Sequence, residues 1–393
     1  MSTRLYTRKA AILAEVEVNE GVDPTPSAST NAMLVSELSI NPLEVQEVDL
    51  SYIRSFYGIS PSVIVSENAS CSFTVDIAGS SAAGTAPPWG ALLKACAFTE
   101  SVTGSAVTGT AQTGAASSIT LASGASSTTN AFVGMTIAHT GGTDFGDDRV
   151  IVAYNGTTKV ATVNEAWSGT TPDATSTYSI GKNVRYLPTT DTIDSLTIYY
   201  YQSGVLHKMT GCRGNVSFDM SANARPAMKF TFTGVYNAVI DAAVPTATYT
   251  AWQSPTPILT DNTTGLLAGK TIDGSATGLQ LQKWTLDMGN QVKYRQLVGA
   301  ANVVLTDRQP KGSVSIEMTD VSTKDWFADI RNGVQSEFMI QTGTTAAKTI
   351  CFYLPKCQLA APKYSDSDGI VMLDAEQRAM PNLGNDEVVI CVK

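Results

Sequence analysis

A chain of 393 residues with net charge −9 and only 16% charged residues has room for two or three domains, each able to bury a core without a disulfide or metal staple. The acidic balance argues against tight nonspecific nucleic-acid binding, which comes from neutralising phosphates. Low charge with abundant Thr, Ser, Ala and Gly suits a surface largely occupied by neighbours. The six scattered cysteines (Cys71, Cys96, Cys212, Cys351, Cys357, Cys391) lack CxxC spacing and read as small buried thiols of a reducing compartment.

The opening MSTRLYTRKAAILAEVEVNEG lacks the apolar core and cleavage site of a signal peptide. No run approaches the roughly 18 apolar residues of a membrane helix. Synthesis in a cytoplasm, with no membrane partner, is the expectation. Residues 1–40 read as an extended arm in which Asp23-Pro24-Thr25-Pro26-Ser27 breaks any helix. A first domain begins at residue 41. Gln46, Val48 and Leu50 alternate with Glu47 and Asp49, and the apolar-aromatic loop IRSFYGISPSVIV follows. In CSFTVDI, Phe73, Val75 and Ile77 form one face and Ser72, Thr74 and Asp76 the other. Pro87-Pro88 then precede WGALLKACAF, where the spacing of Trp89, Leu92, Leu93 and Cys96 predicts a short amphipathic helix.

Residues 100–182 have no counterpart later in the chain. Strand-like runs and the hairpin signal Asn155-Gly156 mark them as a small β domain inserted in a surface loop. Within it, Asp144, Asp147 and Asp148 offer oxygen ligands for a cation, but without a repeated nonapeptide they read as a solvated loop. The first domain resumes over 183–245. From Ser195 to Thr233 four runs alternate apolar and polar residues, with Leu196, Ile198 and Tyr200 on one face of the first, Val216, Phe218 and Met220 of the third, and Met228, Phe230 and Phe232 of the fourth. Turns are expected at Gln202-Ser203-Gly204, Gly211-Cys212-Arg213-Gly214 and Asn223-Ala224-Arg225-Pro226, which makes an antiparallel meander.

Residues 246–278 read as a linker, and 279–393 repeat the first domain's order. Trp284, Leu286 and Met288 alternate with Lys283, Thr285 and Asp287; a long loop follows; then Val314, Ile316 and Met318 share a face. A helix opens on Trp326. KTICFYLPKC aligns with SLTIYYY, and DGIVMLD with GNVSFDM. Strand, long loop, strand, helix and meander thus occur twice. The fold class expected is mainly β: two tandem β-sandwich or barrel domains, each with a short flanking helix, plus the inserted β domain.

Chemistry is sparse. His139 and His207 have no ligand-type residues at metal spacing, and neither G-x-S-x-G nor G-x-G-x-x-G occurs. Gly265 to Thr271, GLLAGKT, has three residues between its glycines where a phosphate loop needs four, and a turn rather than a strand precedes it. No enzyme, cofactor or metal site is expected.

The run LTIYYYQSGVLHKMTGCRGNVSFDM followed by KFTFTGVYNA resembles the major tail (tail tube) proteins of long-tailed, non-contractile bacteriophages. PPWGALLKACAF and GMTIAHTGG…VIVAYNGTTKVATV are similar to segments of phage virion proteins. The resemblance implies tail-tube-like β-sandwich subunits, with a flanking helix and a long loop between two early strands, polymerised into stacked rings around a DNA channel. Its partners would be other copies of the chain and the terminator, tape-measure and distal tail proteins, and DNA would pass without specific binding. Two tube domains per chain imply a trimeric ring of pseudo-sixfold appearance. The residues expected to face the lumen are Glu47, Asp49, Ser72, Thr74, Asp76, Thr285, Asp287, Ser315, Glu317 and Thr319. They are acidic or hydroxylic, Lys283 being the basic exception. The loops Arg54 to Val65 (Phe56, Tyr57, Ile59, Val63) and Lys293 to Val303 (Tyr294, Leu297, Val298) are too long and apolar for hairpins, and are expected to stack on the next ring. Two other classes compete: an adhesin-like binding module, which needs an export signal, and a β-rich hydrolase, which needs clustered carboxylates.

Overall fold

The computed structural model describes residues 4–142, 148–272 and 278–393, and it is mainly β. The first stretch contributes β1 (Ala10–Val16), β2 (Ala32–Met33), β3 (Ser36–Asp49), β4 (Ser62–Asp76), the short helix α1 (Gly90–Lys94) and β5 (Phe98–Thr103). The insert holds β6 (Val107–Thr110), β7 (Thr113–Ala115), β8 (Ser118–Thr120), β9 (Thr136–Gly141), β10 (Asp148–Tyr154), β11 (Val160–Val163) and β12 (Thr177–Ile180). The chain returns through β13 (Asn183–Pro188), β14 (Leu196–Gln202), β15 (Val205–Ser221), β16 (Ala227–Tyr236) and β17 (Ile240–Asp241). The last stretch begins with β18 (Thr263–Leu267), β19 (Lys270–Ile272), β20 (Leu281–Asp287), β21 (Val292–Leu297), β22 (Ala300–Leu305) and β23 (Lys311–Glu317). It ends with α2 (Trp326–Arg331), β24 (Gln335–Thr342), β25 (Ile350–Ser367), β26 (Ile370–Met380) and β27 (Val389–Val392).

One run of antiparallel pairings occurs twice. In the first half the neighbours run β2, β1, β14, β15, β16, β4, β3. In the second they run β19, β18, β24, β25, β26, β23, β20. The two runs join where the second part of β15 pairs with β20, from Ser217 opposite Asp287 to Ser221 opposite Lys283. Strands β3, β4, β16, β15, β20, β23, β26 and β25 therefore form one continuous sheet. Its buried face belongs to a single apolar core that includes Phe73, Phe230 and Phe232 from one half and Trp284, Phe338 and Phe352 from the other. Phe218 meets Phe352 edge-on across the halves, ring centres 5.1 Å apart. Each short helix opens on a buried tryptophan whose indole N–H is satisfied, Trp89 by the Ala78 carbonyl at 2.8 Å and Trp326 by Thr319 Oγ1 at 3.0 Å.

Several sequence expectations need correction. Residues 1–40 are not merely an arm: β1 pairs with β14 along its full length, and Ala11 to Ala14 are buried. The 246–278 linker contains β18 and β19, the hairpin that occupies in the second half the place of β1 and β2, and GLLAGKT is part of it. Gly211 to Gly214 is no turn; β15 runs through it with a register shift, Gly211 at φ +60°. Gly214 is required for close approach, because a Cβ there would lie 2.5 Å from the Phe232 ring and from the Thr231 carbonyl. The alignment of the halves also moves by one strand. The counterpart of SLTIYYY is QSEFMIQT in β24, KTICFYLPKC opens β25 and matches the start of β15, and DGIVMLD lies in β26, which matches β16. Val48 is exposed rather than in a core face, since the far part of the β3–β4 hairpin runs past the core.

The insert is a seven-stranded unit in the order β6, β12, β9, β10, β11, β8, β7. It hangs on β5 and β13, which pair from Asn183 opposite Thr103 to Pro188 opposite Phe98. It is more than a graft on a loop. Its apolar cluster, with Ile119, Ile137, Ile151 and Tyr178, also takes in Leu266, Met339, Cys351, Tyr353, Val389 and Cys391 of the second half. Asp144 and Asp147 lie outside the described residues, and Asp148 opens β10.

Candidate assembly surface

The outer face of the continuous sheet is set by strand alternation. With Phe73, Val75, Trp284, Leu286, Val314 and Ile316 in the core, their neighbours Ser72, Thr74, Asp76, Thr285, Asp287, Ser315 and Glu317 turn outward. Cross-strand register brings them onto one surface. Thr74 lies opposite Lys229, Lys229 opposite Ser217, Ser217 opposite Asp287, Asp287 opposite Lys311, and Lys311 opposite Arg378. The next row runs Asp76, Ala227, Asp219, Thr285, Ser313, Glu376.

The surface is therefore not acidic or hydroxylic alone. Lys229, Lys283, Lys311, Lys363 and Arg378 share it with Asp76, Asp219, Asp287, Glu317, Asp374 and Glu376, close to charge balance. The sequence reading took its residues from the early strands of each half; Lys229 of β16, Lys363 of β25 and Arg378 of β26 lie outside those strands, and Lys311 of β23 was passed over within them. Ion pairs cross the face, Lys283 with Asp219 at 3.0 Å and Arg225 with Asp76 at 3.2 Å. Asn215 Nδ2 donates to Asp287 Oδ1 at 2.7 Å, and Ser315 Oγ to Asp374 Oδ1 at 2.5 Å. Three expected residues are elsewhere. Glu47 and Asp49 sit on the projecting part of β3, exposed on both sides, with Ser62 Oγ donating to Glu47 at 2.6 Å. Thr319 lies past the end of β23 and holds the Trp326 indole.

The two expected stacking loops differ. Residues 50–61 cap the β3–β4 hairpin, where Phe56, Tyr57 and Ile59 are exposed and Val63 begins the return strand half-exposed. Glu44 clips the base of the projecting part. It accepts from Ser70 Oγ, from Asn68 Nδ2 at 2.9 Å and from Asn41 Nδ2 at 3.0 Å, bridging both strands. The bond from Ser70, opposed by partial burial and helped by the two amides, holds its carboxyl below the ordinary value. The second loop is itself a hairpin, contrary to expectation: β21 and β22 pair from Val292 opposite Leu305 to Leu297 opposite Ala300. It folds back on β15 and β16 of the first half. Val303 is buried and Tyr294 half-buried, while Leu297 and Val298 stand out at the tip.

A third feature escaped the sequence reading. Between β1 and β2, residues 17–23 lie across the first-half meander, held by three acids. Glu17 is buried and accepts from Gly21 N (2.7 Å), Ser195 Oγ (2.6 Å), Thr197 Oγ1 (2.6 Å) and Gly211 N (2.8 Å). Glu20 receives Arg213 in two bonds of 2.9 and 3.0 Å, and the same guanidinium donates to the carbonyls of Val303 and of Ile193. Asp23 accepts from Tyr199 Oη and, at 3.2 Å, from Lys208 Nζ. The only hint in the sequence is the spacing of three and three of these acids in a chain poor in charge.

Two cavities, of about 710 and 650 Å³, lie between the insert and the second half. Among the described residues no group of three or more His, Cys, Asp or Glu side chains could hold a metal, and no helix is long and apolar enough to cross a membrane. His139 is buried and stacks on Trp167 at 4.2 Å, and His207 stacks on Tyr200 at 6.0 Å. All six cysteines are buried free thiols. Burial pushes Cys71 and Cys391 up to about 12. Among known proteins, a family model described as phage tail tube protein matches residues 7–379. No curated protein matches the chain.

Proposed function

The chain belongs to the phage tail tube protein family, a structural component of the virion tail, and from that membership we propose that it polymerises into stacked rings around the channel through which DNA passes. Each ring contains three chains. The observation that carries this reading is the repeated run of pairings, with its two copies joined edge to edge by β15 and β20. A chain with two quasi-equivalent units already contains one of the joints a ring needs. Closure by heterologous contacts of about 60° per unit then takes six units, hence three chains. Tandem linkage makes every second joint intramolecular and raises the effective concentration of the remainder.

The outer sheet face lines the channel in this arrangement. Its balanced charges, several of them paired with one another, offer DNA neither a basic track, which would bind through counterion release, nor a greasy wall. Membership in a structural family supports a non-catalytic role, and no specific observation favours the adhesin or the hydrolase. Partners are further copies, with the terminator, tape-measure and distal tail proteins at the ends and along the lumen.

Imaging the purified protein along the tube axis tests the reading. Three insert densities per ring are expected. Six would mean six chains per ring and end the tandem-unit account, and a protein that stays monomeric under all assembly conditions would end the tube itself.

A further inference from the structure

Resting on the ring-building reading, we infer that the joint between chains is an antiparallel pairing of β25 of one copy with β3 of the next, in the register Lys363 opposite Asn41, Tyr364 opposite Ile40 and Ser365 opposite Ser39. One such joint is already present inside the chain. There β15 lends its far part, beyond the bulge, to β20. In the repeated run β15 corresponds to β25 and β20 to β3. These two strands are the outer edges of the continuous sheet: among the described residues, the far part of β25 pairs only with β26, and β3 only with β4. An open edge is a row of unpaired N–H and C=O groups that templates another strand.

Register follows from matched hydrogen bonds. The ladder between β4 and β16 closes on Ile77 N to Pro226 O at 2.9 Å, and that between β23 and β26 on Met318 N to Val371 O at 3.0 Å. Setting Ile77 against Met318 makes Val75 match Ile316, and through their cross-strand partners Met228 matches Leu373 and Phe218 matches Tyr364. On the other edge Ile40 lies opposite Cys71 as Leu286 lies opposite Gly312. Within the chain Phe218 lies opposite Leu286. The same relation between copies puts Tyr364 opposite Ile40.

Exposure agrees with this assignment. Phe218, covered by the internal joint, is 1% exposed, whereas Tyr364 at the matching place is 63% exposed, beside Val371 at 52% and in ring contact with Phe327 of α2 at 5.8 Å. Pairing with β3 would cover this apolar edge as β20 covers Phe218. Pro42, which has no N–H, follows Asn41 and ends the joint there.

The test is a disulfide across the joint. Ser365→Cys and Ser39→Cys are combined in the full chain, assembled and treated with a mild thiol–disulfide oxidant such as oxidised glutathione. The two thiols lose their protons and form one S–S bond while one oxidised glutathione is reduced to two thiols. Both side chains lie on the outer face, and the six native thiols are buried. On non-reducing gels, covalent dimers and a ladder that stops at a closed trimer are expected, with neither single variant forming the ladder. Tubes that form by electron microscopy without any cross-link, or that cross-link better with Ser39→Cys plus Ser367→Cys, would overturn the register while leaving the tube reading intact. Absence of both tubes and oligomers from folded protein would defeat the tube reading first. In a second arm, Tyr364→Asp should leave the monomer folded, since the side chain is exposed, and lower assembly at least tenfold. Unchanged assembly would count against the joint.

Discussion

Glu17 concentrates four hydrogen bonds from three separate segments on one buried carboxylate: Gly21 from its own loop, Ser195 and Thr197 from β14 and the residue before it, and Gly211 from the bulge of β15. Removing it strands buried donors, each worth its desolvation penalty. Glu17→Ala is therefore expected to cost roughly 3 kcal/mol or more, read as a lower denaturant midpoint of unassembled protein. Glu17→Gln, which keeps an acceptor, should lose less. Acid should act on the same loop. Burial disfavours the Asp23 carboxylate, but the bonds from Tyr199, Thr25 N and Lys208 outweigh it and hold its pKa below the ordinary value; Glu44 is likewise depressed. A depressed carboxylate contributes stability that is present above the unfolded value of about 4 and lost as pH falls through the folded one. Urea stability should thus decline below about pH 4, and Asp23→Asn combined with Glu44→Gln should flatten that slope; an unchanged slope would assign it to other groups. Beyond the spacing of Glu17, Glu20 and Asp23, little of this was legible in the sequence, because a carboxylate that folds back on backbone N–H groups looks like any solvated acid until the loop's path is known.

At the scale of elements, alternation located the strands with one wet face, β4, the far part of β15, β16, β20 and β23. The tryptophan-led helices were also readable from spacing. What failed was instructive. AAILAEV has no clean alternation because β1 buries both sides: Ile12 and Ala14 enter the main core, while Leu13 enters a second cluster with Ala32, Tyr199 and Leu206. A strand covered on two sides reads as an apolar run, and next to a proline-rich loop it passed for an arm. The charge make-up of the outer face was missed for a related reason, since register decides which strands neighbour one another and period alone cannot bring Lys229 of β16, Lys363 of β25 and Arg378 of β26 onto it. The insert is the third case. Read as a graft, it should be removable without cost. The structure seats it on six buried apolar residues of the second half, and Tyr353 Oη donates to the Val152 carbonyl at 3.1 Å. Burying a Leu, Val or Met contributes about 1.5–3 kcal/mol each. Deleting residues 104–182 with a short Gly/Ser bridge is therefore expected to give aggregated or strongly destabilised protein, measured by solubility and thermal melting. Adding Leu266→Thr, Met339→Gln and Val389→Thr should recover part of the solubility. A well-folded deletion without those changes would restore the graft view.

At the scale of the whole molecule, the two halves differ at the connection between their early strands: the second half folds it back on the first, and the first half extends it outward. The β21–β22 hairpin lies against β15 and β16 of its own chain, and the Arg213 guanidinium ties its Val303 carbonyl to the acid-held loop of residues 17–23. The connection at the matching place, residues 50–61 at the end of β3 and β4, touches nothing comparable. Seven strand residues from Leu43 to Asp49 carry it about 20 Å beyond the sheet, and at its end Ile53, Tyr57 and Ile59 are almost fully exposed. Apolar groups in that number are costly to leave in water unless another copy covers them. Because the hairpin leaves the sheet along the strand direction, and the joint inferred above uses only Ser39 to Asn41 of β3, the tip remains free for a neighbour along the tube axis. Phe56→Ser with Tyr57→Ser should therefore separate the two kinds of contact. Both side chains are exposed, so folding should change by no more than about 0.5 kcal/mol, and single rings should form with the same three-chain cross-linked species. Stacking should fail, leaving rings where wild-type protein gives tubes, as counted by negative-stain microscopy and sedimentation. Tubes of normal length from this variant would remove the tip from the axial contact, and loss of the rings themselves would move it to the lateral one.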